Sequence, residues 1–245
     1  QPQMAVCAQH GAATAMTTLA AVPKRVYRWS ALCLGLALAA CASGPPTPEW
    51  QIDAHGASQK AQDAYLAGDT RVEQLEWNRA REALARTGRL DLLARLELLR
   101  CAGRVASLVF EPCAGFDALR QDAPAAEKAY ADYLAGQLSS QDMELLPPAQ
   151  RNAAQASQTD AGAQLSGIED PLSRLVAAGV LLKTGHATPA TLSIAVATAS
   201  AQGCRRPLLA WLLVQVERAR AAGDTQAVAS LRRRIAVVER GGKQE

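Results

Sequence analysis

Aromatic residues are scarce in this chain, and so are strand signals. Of the 245 residues 4% are aromatic and two are phenylalanine, whereas 49% are apolar by a broad count that includes alanine. That apolar content is enough to bury a core, which excludes wholesale disorder. Alternating β-branched or aromatic runs and Asn-Gly or Asp-Gly turns are missing, and no apolar run reaches the ~20 residues of a membrane-spanning helix. The composition therefore predicts an all-α protein.

The excess of positive charge is confined to the N-terminal segment. The formal net charge is +3, and Lys24, Arg25 and Arg28 are the only charged residues among the first 41. Of the 26 basic residues, 23 therefore belong to the remainder of the chain, where they balance 23 acidic residues. A neutral body has no electrostatic attraction for nucleic acid, so we expect no nucleic-acid partner.

The same N-terminal segment has the features of an export signal. Three basic residues precede an apolar run of 12 residues, 29–40, which is too short to span a membrane. The run ends in Leu38-Ala39-Ala40-Cys41, which resembles the lipobox of bacterial lipoproteins. The resemblance implies diacylation of the Cys41 thiol, cleavage before Cys41 and acylation of the new amino group. An ordinary secretory signal cut near Ala40 or Ser43 is the alternative.

This interpretation divides the chain into four parts. Residues 1–15 fit no part of the signal and are interpreted as an over-extended start or as disordered, and 16–40 form the signal peptide. Residues 41–50 form a lipidated, proline-rich tether, and 51–245 form an all-helical periplasmic domain. Ala42 stands where an Asp would resemble an inner-membrane retention signal. We therefore expect a lipid anchor in the inner leaflet of the outer membrane, facing the periplasm.

Helix start and stop signals organise the periplasmic domain into hairpins. Gly-Asp pairs at 68–69 and 223–224 end one helix and cap the next, while Asp170 and Thr188 each precede a proline in a first helical turn. A polar segment at 147–167 follows two prolines and is the weakest point, where the domain could separate into two halves. The predicted helices lie near 51–67, 70–87, 89–108, 124–136, 139–146, 149–158, 171–184, 189–202, 206–222 and 225–240.

A faint internal similarity accompanies these hairpins. The segment 64–69 is echoed at 132–137 and at 219–224, and the first two copies are 68 residues apart. That spacing is twice the 34-residue tetratricopeptide period.

The first copy carries most of this resemblance. Ala61, Gly68, Trp77 and Ala80 match the small, glycine, aromatic and small positions of that repeat, although Glu73 stands where a small residue is usual. The mature region thus resembles a degenerate tetratricopeptide-type solenoid of stacked helix hairpins. Generic hairpins ending in glycine would produce the same pattern.

Catalytic patterns are missing from the mature chain. Its two histidines, His55 and His186, have no second ligand at helical spacing, and no Cys-x-x-Cys, Gly-x-Ser-x-Gly, His-Glu-x-x-His or phosphate-loop pattern occurs. Helical lipoproteins include peptidoglycan-cleaving enzymes with a glutamate acid, and Glu111 is the one acid in an apolar, helix-breaking setting. Glu111 lacks the following Ser that resembles their catalytic motif. We expect no enzyme, cofactor, metal site or small-molecule substrate.

The cysteines indicate the redox compartment. The periplasm is oxidising, and Cys101 and Cys113 are 12 residues apart with a proline turn between them, which predicts a disulfide. The sequence does not decide the pairing of Cys204.

Basic residues are concentrated near the C-terminus. A solvated helix face or a contact with anionic headgroups or an acidic partner would explain them. They are Arg218, Arg220, Arg232, Arg233, Arg234, Arg240 and Lys243.

Together these features resemble small proteobacterial lipoproteins of unknown function. The expected function is a non-enzymatic interaction or scaffold protein of the cell envelope, because stacked hairpins form concave protein-binding surfaces. The expected partners are the membrane, through Cys41, and an envelope protein. A peptidoglycan-active enzyme or its accessory activator is the alternative.

Overall fold

The computed structural model describes residues 47–155 and 160–241, which form helices joined by short turns without any strand. The prediction of an all-α fold is confirmed. The signal peptide, Cys41 and residues 1–15 lie outside the described residues. None of the helices in the described ranges is both long enough and apolar enough to cross a membrane. The helices are α1 Glu49–Ala67, α2 Thr70–Ala85, α3 Leu90–Ala106, α4 Ala114–Asp117, α5 Ala125–Ala135, α6 Pro148–Ala154, α7 Ala161–Ser166, α8 Pro171–Lys183, α9 Pro189–Ala201, α10 Arg205–Ala221 and α11 Thr225–Arg240.

One predicted helix is wrong. The segment 139–146 contains only a 3₁₀ turn at Met143–Leu145. The Ser139 hydroxyl accepts a hydrogen bond from the Asp142 amide at 3.2 Å and donates one to the Asp142 carboxylate at 2.7 Å. Leu146 is extended, because the ring of the following proline disfavours helical backbone at the residue before it. The Ser139–Asp142 contacts begin a helix, but too few residues precede Pro147 for a second turn, so the segment stays a turn.

Three of the described helices, α1, α5 and α10, end in the same glycine motif. Gly68, Gly136 and Gly223 have φ of 90°, 73° and 71°, the left-handed backbone that only glycine adopts readily. In each case the glycine amide donates to the carbonyl three residues earlier, and the next amide donates to the carbonyl five residues earlier. This is the Schellman motif. The three echoed segments are therefore three copies of the same helix-stop motif.

The predicted helix starts are formed by capping side chains. Asp170 accepts the Ser173 amide at 2.7 Å at the start of α8, and Thr188 forms a reciprocal capping box with Thr191 at the start of α9. Both helices have the expected proline in their first turn. These local bonds satisfy amides that have no partner within the helix.

The described residues bury two hydrophobic cores. The larger one is built mainly from α3, α5, α8, α9 and α10 around Trp211, and the smaller one lies under the α1–α2 hairpin around Trp77. Trp211 is 0% and Trp77 is 3% exposed, and Trp50 is half-buried. Ala153, before the undescribed residues 156–159, and Ala161, after them, both belong to the larger core.

Helix α10 packs back onto the end of α3 and onto α1. The indole N–H of Trp211 in α10 donates to the Ala106 carbonyl at the end of α3, 3.2 Å away. Arg206, in the first turn of α10, donates to the Tyr65 carbonyl of α1 at 2.7 Å. Its guanidinium lies 4.5 Å from the Tyr65 ring centroid. The C-terminal helices thus contact the N-terminal hairpin across 141 residues of sequence.

A disulfide links Cys101 and Cys113, with their Cα atoms 5.9 Å apart. Cys101 lies in the last turns of α3, and Cys113 immediately precedes α4. The predicted pair is therefore confirmed, and it holds the loop after α3 against the end of that helix.

Candidate functional site

A large cleft lies between α1, α3, α5 and the start of α8. Its volume is about 1360 Å³, and most of its lining is apolar. Leu92, Leu96 and Leu99 of α3 form one wall, and Trp50 and Ala54 of α1 lie at one side. The cleft thus begins at the N-terminal end of α1.

The sequence of α3 explains why an apolar wall is left open. This helix has more leucines than one buried stripe requires, so it contributes Leu93 and Leu98 to the cores, where they are 8% and 3% exposed. Leu92 and Leu99 remain half-buried and face the cleft. Leu92, Leu96 and Leu99 recur at helical spacing and line the cleft together, although Leu96 is only 5% exposed and also belongs to the smaller core. The signal that marks the cleft in the sequence is this surplus of leucine.

Tyr130 of α5 lies inside the cleft and is half-buried. Surrounding protein atoms raise the pKa of its phenol above the ordinary value, and the nearby Asp170 carboxylate adds to that effect. Behind it, the Tyr133 hydroxyl donates to the Gln150 side chain at 2.9 Å, and the Gln150 amide donates to the Ser173 carbonyl at 3.0 Å. This buried chain of bonds fixes α5, α6 and α8 as a rigid wall.

Charges of both signs stand at the cleft. Arg95 pairs with the largely buried Glu127, with 2.9 Å between Nε and Oε1. Arg89 also lines the cleft, as do Glu169 and Asp170 at the start of α8. An apolar floor with mixed charges around it suits a polypeptide ligand that carries both apolar and polar side chains.

The residues weighed in the sequence for catalysis do not come together. His55 is exposed at the cleft, and His186 is exposed in the turn after α8, where its Nδ1 lies 3.0 Å from the Thr184 hydroxyl. Glu111 is exposed outside the cleft and pairs with Arg104 at 2.9 Å. Within 47–155 and 160–241, no three His, Cys, Asp or Glu side chains are grouped as a metal site.

A buried ion pair under the first hairpin is a structural feature that the sequence reasoning missed. Glu73 of α2 is 5% exposed and accepts from the Arg100 Nε of α3 at 3.1 Å. The Arg100 guanidinium also lies over the Trp77 ring, 5.1 Å from its centroid. Glu73 occupies the position where the tetratricopeptide pattern has a small residue, and here it ties the hairpin to α3.

Comparisons with known proteins identify no relative. No family model, no curated protein and no solved structure matches the chain. The features that bear on function are therefore the lipobox-like segment 38–41, the cleft and the surface charges.

Proposed function

We propose that this protein is a non-enzymatic interaction protein of the cell envelope. Acyl chains on Cys41 hold it in the inner leaflet of the outer membrane, and its cleft binds an apolar segment of an envelope protein. The lipobox-like Leu38-Ala39-Ala40-Cys41 supports the anchor. The leucine-walled cleft of about 1360 Å³ carries the proposal of a protein ligand.

The size and lining of the cleft favour a helix as the ligand. Pockets for small molecules measure roughly 300–1,000 Å³, so this cleft exceeds that range. A helix is about 10–12 Å wide, and two to three turns of it would fill a space of this volume. Grooves that bind amphipathic helices take the apolar face into an apolar floor and leave polar residues at the rim. Arg95 and Glu169 would then fix the direction and register of the bound helix.

The cleft gives less support to the enzyme alternative. Its carboxylates are Glu127, Glu169 and Asp170. Glu127 is paired with Arg95, and Asp170 accepts the Ser173 amide in the first turn of α8. A glycosidase acid instead needs a carboxyl group with a raised pKa in an apolar pocket beside the scissile bond.

We propose that the tetratricopeptide-like arrangement is confined to the α1–α2 hairpin. Ala61, Trp77 and Ala80 are at most 3% exposed and pack where the two helices of such a repeat meet. A solenoid repeat contacts only its neighbours, whereas α10 packs back onto α1 through Arg206 and Tyr65. The hairpin is thus one part of a closed helical array.

The anchor is tested by the substitution Cys41→Ser. We expect the variant to accumulate as unprocessed precursor without fatty acid, because both steps need the thiol. The measurement is metabolic labelling with a radioactive fatty acid, together with the mass of the N-terminal peptide. Normal labelling of the variant would show that Cys41 is not the lipidated residue.

The cleft is tested by photo-crosslinking in intact cells from a benzophenone amino acid at position 92. We expect an adduct with an apolar helical segment of an envelope protein, mapped by mass spectrometry. Leu99→Glu should abolish that adduct, because it places a charge on the apolar wall. Leu213→Glu is the matched control, since Leu213 is 52% exposed and is not among the cleft-lining residues. An adduct that survives Leu99→Glu would contradict the proposal.

A further inference from the structure

The last helix, α11, has two different faces. Leu231, Ile235 and Val238 pack against the larger core. Arg233 and Arg240 are exposed on the other side, and α11 contributes no fully buried residue. It is thus a surface helix with its apolar side already covered.

The outer face of α11 is a basic stripe. Arg233, Val237 and Arg240 are four and three residues apart, so they lie in one line along the helix. Arg232 and Arg234 flank that line, and Val237 is 61% exposed between the arginines.

These arginines have no ion-pair partner among the described residues, although most other arginines do. Glu239 is the one acidic residue of α11. The stripe consists of Arg233, Val237 and Arg240 on that line, together with the flanking Arg232 and Arg234.

We propose that this stripe binds the anionic phospholipid headgroups of the membrane that holds the protein. Guanidinium groups form bidentate hydrogen bonds with phosphate, and an apolar side chain between them can enter the headgroup layer. Each basic residue close to an anionic surface favours the bound state by about five-fold. The stripe therefore supplies orientation, while the acyl chains supply attachment.

The position of α11 is compatible with this docking. Arg205 at the start of α10 donates to the Val238 carbonyl at 3.3 Å, and the adjacent Arg206 bonds to Tyr65 near the end of α1. The stripe therefore lies beside one end of α1, and the tether leaves from the other end, about 28 Å away. The eight residue steps from Cys41 to Glu49 can extend to about 27 Å. Because about 27 Å is slightly less than the length of α1, the stripe and the anchor reach the same surface when α1 is tilted towards it, a step that rests on the proposed lipidation of Cys41.

The test uses the substitution Val237→Trp, which places an indole in the stripe. The full chain is reconstituted into phosphatidylcholine vesicles with or without phosphatidylglycerol. Because Val237 is exposed, the substitution spares the core. We expect brominated lipids to quench the added fluorescence, measured as the difference from the unsubstituted chain, only when phosphatidylglycerol is present. Replacing Arg232, Arg233 and Arg240 with Gln should lower the equilibrium constant for docking by about 100-fold. Added salt should weaken docking in the same direction.

A matched control removes the same charge elsewhere. Lys60, Arg71 and Arg86 are exposed, and no ion pair involves them among the described residues, so their replacement with Gln should leave quenching unchanged. The unsubstituted chain gives a second readout, because trypsin should cleave after Arg232 and Arg233 more slowly on phosphatidylglycerol vesicles than on neutral ones. Quenching and cleavage that do not depend on phosphatidylglycerol would overturn the proposal. The proposal would also be overturned if an acidic protein, but not phosphatidylglycerol vesicles, protected Arg232 and Arg233 from trypsin.

Discussion

Glu73 is a charged residue at an interface of apolar side chains, and Arg100 and Trp77 explain how it is tolerated there. The carboxylate has the Arg100 guanidinium as its partner, and the guanidinium in turn lies on the indole face. Burial of an ion pair contributes little net stability, but removing one partner leaves an uncompensated charge in the interior. The three side chains therefore depend on one another.

Replacing Arg100 with Met should lower the free energy of unfolding by about 3 kcal/mol, because Glu73 would lose its partner while staying buried. The double variant Glu73→Leu/Arg100→Met should lose less than Arg100→Met alone. Arg220→Met is the control, since the Arg220–Glu217 pair is exposed and should contribute less than about 1 kcal/mol. Urea denaturation of the three variants checks the order, and equal losses for Arg100→Met and Arg220→Met would contradict it.

The Cys101–Cys113 bridge closes a short loop. A loop of about 15 residues gives a disulfide roughly 3 kcal/mol of stabilisation by restricting the unfolded chain, so Cys101→Ala/Cys113→Ala should cost about that much or slightly less. Non-reducing peptide mapping of exported protein should find the two cysteines linked. Two free thiols at these positions would refute the bridge.

At the scale of the elements, α3 and α8 approach each other closely at Gly179. A Cβ atom at this position would lie 2.4 Å from the Val105 carbonyl oxygen, so the two backbones are in contact. Gly56 in α1 is also helical, but a Cβ there would have no neighbour within 4 Å. The two glycines thus have opposite consequences for a substitution to alanine.

Gly179→Ala should therefore destabilise the fold by about 1–3 kcal/mol, because the helices must move apart to admit the methyl group. Gly56→Ala should instead stabilise it by about 0.5–1 kcal/mol, since alanine restricts the unfolded chain without a clash. Thermal denaturation followed by circular dichroism measures both variants. A stabilising effect of Gly179→Ala would show that α3 and α8 do not pack through this glycine.

The helices were predictable because neighbouring residues determine where they begin and end. Features that depend on long-range packing could not be predicted in the same way. The starts at Asp170 and Thr188 were predictable because a cap is made within four residues. The helix proposed at 139–146 was wrong because a cap and a following proline compete over too few residues. The surplus of leucine in α3 indicates that some apolar surface is left over, but the sequence does not say which leucines the neighbouring helices leave uncovered, so the position of the cleft could not be predicted.

At the scale of the whole molecule, the three described tryptophans report on three environments. Trp77 and Trp211 lie in the two cores, whereas Trp50 lies half-buried at the cleft. The accessibility of each indole therefore tests the arrangement of both cores and the cleft together.

In protein isolated from membranes, Trp50→Phe should remove most of the fluorescence that acrylamide quenches readily. Trp77→Phe should leave that accessible fraction nearly unchanged, because acrylamide reaches buried indoles poorly. Stern–Volmer plots of the two variants give the comparison. Equal accessibility of Trp50 and Trp77 would mean that the first hairpin is not packed as described.

The contact between Arg206 and Tyr65 has a consequence for how the chain acquires its structure. Its partners are separated by 141 residues, and the Trp211–Ala106 bond spans 105. Chains dominated by such distant contacts fold more slowly than helical proteins with local contacts, since long loops must close first. If the chain is exported N-terminus first, the α1–α2 hairpin emerges early and waits for α10 with the Tyr65 side of α1 uncovered. A chaperone of the compartment in which the chain folds would bind during this interval, and a chain truncated before Arg206 should remain in this state because it lacks the partner of Tyr65.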